Sequence, residues 1–187
     1  MMILVVVIIL VCAVLVGYLI GSYNALVKNR NRVRNGWHQI DVQLKRRVDL
    51  IPNIVETVKG YAQHEKDVLD RVTRARSAVM EAHGPAESAQ ANSMLSDTLK
   101  SLFAVVENYP ELKANEGFLK LQEELTTTEN KISFARQFYN ESVMNMNNRV
   151  QMFPGNIIAG MFNFENETFF EVEDEAQREA PKVDFSS

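Results

Sequence analysis

The sequence predicts an all-α membrane protein. A single N-terminal transmembrane helix continues into an antiparallel bundle of long helices, followed by a short Phe-rich segment and an acidic tail. Residues 1–20 contain no charged side chain, and twenty helical residues span about 30 Å, the thickness of the hydrocarbon core of a bilayer. After this run, apolar residues recur at helical spacing, and no segment shows the alternation of a strand.

The apolar N-terminus is interpreted as an uncleaved anchor over residues 1–22. A cleaved signal peptide would have a basic region before a shorter apolar run, and no Lys or Arg precedes this run. A lipoprotein signal would make Cys12 the lipidated residue, but the bulky Val11 precedes it where such signals have a small residue. Cys12 is the only cysteine, so a disulfide framework is excluded, in agreement with a cytoplasmic domain.

Four basic residues follow the anchor, and nothing basic balances them on its other side. Under the positive-inside rule they predict that the domain lies in the cytoplasm and the short N-terminus outside. A second reading adds binding to anionic lipid, worth about 1 kcal/mol for each basic residue near the surface. These residues are Lys28, Arg30, Arg32 and Arg34.

Small residues recur every fourth position along the anchor and include a G-x-x-x-G motif. Such spacing lets membrane helices approach closely, so it predicts a packing interface and a homo-oligomer. The alternative is that glycine is simply frequent in membrane helices. The residues are Ala13, Gly17, Gly21 and Ala25.

The bundle, residues 23–152, is predicted to contain four helices. An apolar stripe predicts the first, and Pro52 predicts a kink or a restart after it. Gly36 leaves open whether anchor and stalk form one helix. His83-Gly84-Pro85 has the order typical of a helix end, and Pro110 interrupts the third helix. The predicted ranges are 23–49, 52–82, 86–108 and 116–152.

The fourth helix has the most regular pattern, with apolar and small residues at alternating spacings of four and three, as in a heptad seam. The stripe of the first helix consists of Leu26, Val33, Trp37, Ile40, Leu44 and Val48. The seam of the fourth consists of Phe118, Leu121, Leu125, Thr128, Ile132, Ala135, Tyr139, Ser142 and Met146.

Residues 153–170 hold five of the ten phenylalanines. One reading is that this segment folds back onto the bundle, because phenylalanine is usually buried. The other is an exposed patch for a partner or another copy of the chain; acidic surroundings argue against insertion into an anionic leaflet. The expected face is Ile157, Ile158, Met161 and Phe162. The tail, residues 171–187, is too charged to form a core and is predicted to be mobile.

Motifs for catalysis and cofactor binding are missing from the sequence. It has no glycine-rich phosphate loop, no nucleophile elbow, no paired histidines at helical spacing and no C-x-x-C. We therefore expect no enzyme activity, no cofactor and no metal. The net charge of −4 and the lack of a recognised motif argue against nucleic-acid binding. The basic run Lys45, Arg46 and Arg47 is predicted to dock an acidic partner or to form a solvated face.

Two sequence blocks, DLIPN at residues 49–53 and TENKI at residues 128–132, are specific features. With the segments around them they closely resemble the LemA family of bacterial membrane proteins, and the resemblance covers nearly all of residues 23–185. One departure is Gly36-Trp37-His38, where the family more often has Ala-Trp-Ser, a change expected to leave the fold untouched. Further family features are YNALVKNRNRVRNGWHQIDVQLKRRVDLIPNIVETVKGYAQHE, YPELKAN, LQEELTTTENKISFARQFYNESV, Phe153-Pro154 and PKVDF.

The resemblance implies a long-helix bundle on a membrane stalk in the bacterial inner membrane, with no enzymatic activity to carry over. Relatives are associated with envelope functions, and one branch is similar to proteins of intracellular membrane compartments in magnetic bacteria. We expect a membrane-anchored scaffold that self-associates. The alternative is an adaptor that docks a protein partner through the basic stalk residues or the acidic tail.

Overall fold

The protein is described here by a computed structural model that covers residues 1–171. The prediction of a mobile tail lies outside these residues, apart from residue 171. Within them all regular structure is helical and no strand forms, so the all-α prediction is confirmed. The helices are α1 (Met2–Lys59), α2 (Lys66–Glu81), α3 (Gly84–Val106), α4 (Pro110–Lys113), α5 (Glu116–Gln151) and α6 (Gly155–Met161).

The antiparallel pair α1 and α5 forms the axis of the molecule. α1 has 58 residues, which corresponds to about 87 Å at 1.5 Å per residue. α5 returns beside it, so that Glu129 lies near Arg47, Tyr139 near Gly36 and Asn145 near Leu26. The predicted stripe of α1 and the predicted seam of α5 form the contact, with Trp37 and Leu121 only partly buried.

The two long helices approach each other closely at Gly36. A Cβ atom at this position would lie 3.1 Å from Cα of Tyr139 and 3.2 Å from Cδ1 of Phe138. The missing side chain therefore lets the backbone of α1 rest directly on α5. The glycine that weakens the helix in isolation tightens the pair in the folded chain.

A hairpin of α2 and α3 completes a four-helix bundle at the end of the pair that lies away from the anchor. α2 runs back beside α1, and α3 reverses again to reach α4 and the start of α5. At the far end, Asn115 caps α5 by accepting a hydrogen bond from the backbone N–H of Phe118, and its side chain also donates to the Tyr61 hydroxyl. Nearer the anchor, α1 and α5 continue without the hairpin.

Of the kink or restart predicted at Pro52, the restart is wrong, because α1 continues through this residue to Lys59. Proline has no N–H, so the carbonyl of Val48 loses the donor that a helix normally supplies four residues later. Nε of Arg76, on α2, donates to that carbonyl at 3.2 Å. A side chain on the neighbouring helix thus replaces the missing backbone donor. The chain turns instead at residues 60–65, where the bundle ends, so the predicted helix 52–82 is divided between α1 and α2.

We predict that Arg76 and Pro52 are energetically coupled. Arg76→Ala should lower the free energy of unfolding by about 1–2 kcal/mol, because it leaves the Val48 carbonyl unpaired. In a Pro52→Ala background the new N–H satisfies that carbonyl, so the same substitution should cost about 1 kcal/mol less. Denaturant unfolding of the full chain in mild detergent, followed by circular dichroism, measures the stability of the four proteins in this double-mutant cycle. Arg74→Ala, an exposed change on the same helix, should show no coupling to Pro52, and equal costs of Arg76→Ala in both backgrounds would contradict the assignment.

Candidate functional site

The anchor extends from the bundle without a partner in the described chain. α1 is the one helix among residues 1–171 that is long and apolar enough to cross a membrane, and its apolar window has no buried residue. A Cβ atom at Gly17 or at Gly21 would meet nothing within 4 Å. Of the predicted small-residue face, Ala13, Gly17 and Gly21 are therefore open, and Ala25 is half-buried where the stalk begins.

The basic residues after the anchor do not all face solvent. Lys28, Arg32 and Arg34 are exposed, whereas Arg30 is half-buried and places its guanidinium 4.9 Å from the ring centre of Phe164. A guanidinium over an aromatic face is a favourable cation–π contact. Arg30 therefore attaches the C-terminal part of the chain to the stalk, and the other three basic residues remain free to face lipid headgroups or solvent.

Residues 163–171, which we call the C-terminal strap, run from the membrane end back along the stalk. Phe164 lies beside Tyr23 and Arg30, and Phe170 lies beside Trp37, so the strap leads away from the anchor. Both phenylalanines are buried. The strap covers the groove between α1 and α5 that the α2–α3 hairpin covers in the other half of the molecule.

Two asparagines of α5 hold the backbone of the strap. Asn147 donates to the carbonyl of Glu167 and accepts from its N–H, at 3.0 and 2.8 Å. Asn140 makes the same pair with Phe170, at 3.3 and 2.9 Å. Seven helical residues and three extended residues both advance by about 10 Å. The spacing of the two asparagines therefore matches that of the two strap residues, and the side-chain amides supply the partners that a neighbouring strand would supply.

Tyr139 adds a third attachment, because its hydroxyl donates to the carbonyl of Thr168 at 2.6 Å. Its ring packs against Trp37, with ring centres 6.0 Å apart. Burial, with a smaller contribution from the Glu167 carboxylate, raises the pKa of Tyr139 to about 12. The hydroxyl therefore keeps its proton, and with it the hydrogen bond, over the whole physiological range.

The membrane end of the bundle carries α6, and the face predicted for this helix is divided in the structure. Ile158 is 1% exposed and packs inward with Ala159. Ile157, Met161 and Phe162 are each at least half exposed, although Phe162 also touches Tyr23 with ring centres 4.8 Å apart. The prediction that all four share one face is wrong: the adjacent Ile157 and Ile158 are about 100° apart around a helix, and Ile158 packs inward.

A cleft of about 310 Å³ separates the end of α5 from the anchor. Tyr18 and Ser22 of the anchor line one side, and Arg149, Met152 and Phe153 line the other. The turn between α5 and α6 therefore lies beside residues that the apolar run places in or next to the bilayer.

A buried polar group lies inside the four-helix part of the bundle. It is Arg47, which is 4% exposed. Its guanidinium donates to Oδ1 of Asn92 at 2.5 Å and to Oγ of Ser96 at 3.0 Å. It also lies 2.7 Å from the Glu129 carboxylate. Arg47 thus joins α1, α3 and α5. Desolvation lowers its pKa, and the charge of Glu129 acts in the opposite direction.

The arginine junction, formed by Arg47, Asn92, Ser96 and Glu129, opens on one side into a cleft of about 230 Å³. Lys100, Thr126 and Asn130 also line that cleft. Among residues 1–171, no group of three or more His, Cys, Asp or Glu side chains could hold a metal ion. The guanidinium of Arg47 is already paired with the Glu129 carboxylate, so we assign the junction to helix packing and not to ligand binding.

The three basic residues predicted to dock a partner, Lys45, Arg46 and Arg47, therefore do not share one surface. Lys45 and Arg46 are exposed, but Lys45 pairs with Asp41 at 2.8 Å, and Arg47 is unavailable to any partner. The physical reason is the angle of Arg47 around α1, because it follows Ile40 and Leu44 and precedes Ile51 at spacings of four, three and four. This register could have been read from the sequence, where Arg47 continues the apolar stripe.

The chain is similar in sequence to known proteins. The sequence profile of the LemA family matches residues 36–185. The chain is similar to the protein LemA of Metamycoplasma hominis, with 24% identity over 153 residues that cover 81% of this chain and 70% of the relative. It is also similar to the magnetosome proteins MamQ 1 and MamQ 2 of Paramagnetospirillum magneticum, each 22% identical over 179 residues. Those matches cover 82% of this chain and 66% of each relative, just under two thirds of their length.

We predict a signature of Tyr139 in the pH dependence of stability. An unfolded tyrosine has a pKa of about 10, so between pH 10 and 12 the unfolded chain loses a proton that the folded chain retains. The stability contributed by Tyr139 is therefore complete below pH 10 and is lost as the pH rises towards 12. Tyr139→Phe should be about 1 kcal/mol less stable at pH 8, and this difference should narrow above pH 10. Parallel stability curves for the two proteins would show that Tyr139 does not titrate in this way.

We predict that the arginine junction tolerates an apolar replacement better than a truncation. Arg47→Ala should lower the free energy of unfolding by about 3 kcal/mol, because it leaves a cavity and an unpaired Asn92. Arg47→Met fills the same space and should cost about 1 kcal/mol. Denaturant unfolding in detergent distinguishes the two, with the exposed Arg46→Ala as a control that changes stability by no more than about 0.5 kcal/mol. Equal losses for both substitutions at residue 47 would mean that the charge itself is required.

Proposed function

The chain belongs to the LemA family, and we propose that it is a non-enzymatic scaffold that self-associates at the bacterial inner membrane in an envelope-related role. It is a membrane-associated helical protein, and the family is not known to be enzymatic. Two relatives are named as magnetosome proteins, and an assembly role at a membrane is compatible with both names.

The open small-residue face of the anchor carries this proposal. In lipid, helices associate through close packing and not through the hydrophobic effect, so small residues at every fourth position favour a partner helix. Nothing in the described chain occupies the space beside Gly17 and Gly21. A second copy of the same anchor has the matching shape.

A second open surface lies along the same side of α1. Val42 follows Gly17 by 25 residues, which is close to seven turns of about 3.6 residues. Val42 and Phe134 of α5 are 45% and 69% exposed beside a shallow groove. The strap and α2 lie on the other side of the α1–α5 pair. Two copies that meet at Gly17 can therefore also meet at Val42 and Phe134 without displacing the strap or α2.

The proposal also includes the side of the membrane on which the bundle lies. Lys28, Arg32 and Arg34 are exposed next to the anchor, and the positive-inside rule favours the cytoplasm for the side that carries them. The bundle would then assemble at the cytoplasmic face. The basic docking site of the adaptor role is reduced to the exposed Lys45 and Arg46, because Arg47 is buried, so we favour the scaffold over docking through these residues.

We predict that the full chain in mild detergent forms a defined assembly larger than one 21.3 kDa copy when its mass is measured by mass photometry with the detergent contribution subtracted. Gly17→Leu combined with Gly21→Leu should shift the mass towards a monomer, because the bulky side chains keep the anchors apart.

Cys12→Leu combined with Val16→Leu provides the matched control, because these substitutions add volume away from the small-residue face and should leave the mass unchanged. An assembly that survives the glycine substitutions would exclude the anchor as its contact. A monomer from the unmodified chain would refute self-association in this form.

A further inference from the structure

The turn before α6 and the outer face of α6 form a concentrated apolar surface. No charged residue occurs from Val150 to Phe164. Within that stretch five large apolar side chains are at least half exposed: Met152, Phe153, Ile157, Met161 and Phe162. We call these five the apolar rim. In the remainder of the described bundle, exposed apolar side chains occur as the pair Val42 and Phe134 or singly, such as Met80 on α2 and Met94 on α3.

The apolar rim lies at the level where the anchor meets the bundle. Phe162 contacts Tyr23, the first residue after the anchor, and Met152 and Phe153 share a cleft with Tyr18 and Ser22. Tyr18 precedes Ser22 by four residues, or about 6 Å along the helix. The polar layer on each side of the hydrocarbon core is itself about 5–8 Å thick. When residues 1–22 span the bilayer, the rim therefore lies within the polar layer of the same leaflet.

The local chemistry also suits this layer. An apolar environment requires backbone groups to be satisfied internally, and the backbone N–H groups of Asn156, Phe162 and Phe164 donate to carbonyls within the segment at 2.9–3.1 Å. Arg149 lies at the cleft on the bundle side, at the height expected for lipid phosphates. Among the described residues the acidic side chains begin only at Glu165, after the rim, and Glu167 pairs with Asn147, which lies five residues or about 8 Å along α5 on the bundle side of Met152.

We propose that the apolar rim inserts into the headgroup and upper acyl region of the leaflet from which the anchor emerges, as a second contact between this chain and the lipid bilayer. Ile158 and Ala159 hold the inner side of α6 against the bundle, and lipid covers the outer side. The continuity of the rim with the anchor selects lipid as the occupant over a protein partner. This inference rests on the anchor alone and does not depend on self-association.

The test uses the full chain, spin-labelled at one cysteine and reconstituted into vesicles of phosphatidylcholine and phosphatidylglycerol at a ratio of seven to three. Cys12→Ser provides the background. Labels at Met161→Cys and Phe153→Cys report on the rim. Met80→Cys is the matched control, because Met80 is 60% exposed and Met161 is 64% exposed, and Met80 lies on α2 beside Asp41, about 27 Å along α1 from Tyr23. Collisions with oxygen, which enriches in lipid, are compared with collisions with a water-soluble nickel chelate.

At residues 153 and 161 we expect oxygen collisions to exceed nickel collisions several-fold, and at residue 80 we expect the reverse. A nickel-accessible rim, equivalent to residue 80, would overturn the proposal. Low collision rates with both reagents would indicate a protein contact and would overturn it too. The measurement is repeated with Gly17→Leu and Gly21→Leu, where lipid exposure of the rim should persist even in a monomer. Circular dichroism of each labelled protein confirms that its helix content is unchanged.

Discussion

The continuity of α1 is the constraint on which the rest of the structure depends. One helix serves two environments, and each makes a different demand on its side chains. In the bilayer every direction must be apolar, whereas in the bundle one stripe must be apolar and the remainder polar. Both demands are compatible with a single backbone, because a helix satisfies its own hydrogen bonds in either environment. α5 follows α1, the hairpin and the strap fill the groove that the pair leaves, and α6 forms where that groove reaches the membrane.

Side chains complete the backbone at four places where its regular pattern fails. Arg76 supplies the donor that Pro52 lacks, Asn115 caps the start of α5, and the side-chain amides of Asn140 and Asn147 pair with the strap. A buried backbone group without a partner costs about 1–3 kcal/mol, so each of these side chains makes an otherwise unfavourable path of the chain possible. Three of the four are asparagines, whose amide presents a donor and an acceptor together, as a peptide group does.

The sequence predicted the parts of the fold that depend on repetition and missed those that depend on a single partner. The stripe of α1 and the seam of α5 repeat over many turns, so the pattern of apolar residues was enough to identify them. The restart predicted at Pro52 was wrong because the effect of this proline depends on Arg76, 24 residues further along the chain. Arg47 was misread because its charge suggested the surface, although its register placed it in the core. The strap has no periodicity of its own, and the asparagines of α5 determine its path. The division of α6 was missed because the adjacent Ile157 and Ile158, about 100° apart around a helix, were assigned to one face.

When an unbroken helix is fixed in a bilayer at one end, a small tilt of the anchored part displaces the other end over a larger distance. From Tyr23 to Lys59, α1 extends about 54 Å beyond the anchor, and no hinge separates the two parts. Transmembrane helices adjust to bilayer thickness by tilting, on average by about 20°, and a tilt of that size moves the far end sideways by about 18 Å. The position of the tip formed by Tyr61 and Asn115 therefore depends on the thickness of the membrane that holds the anchor.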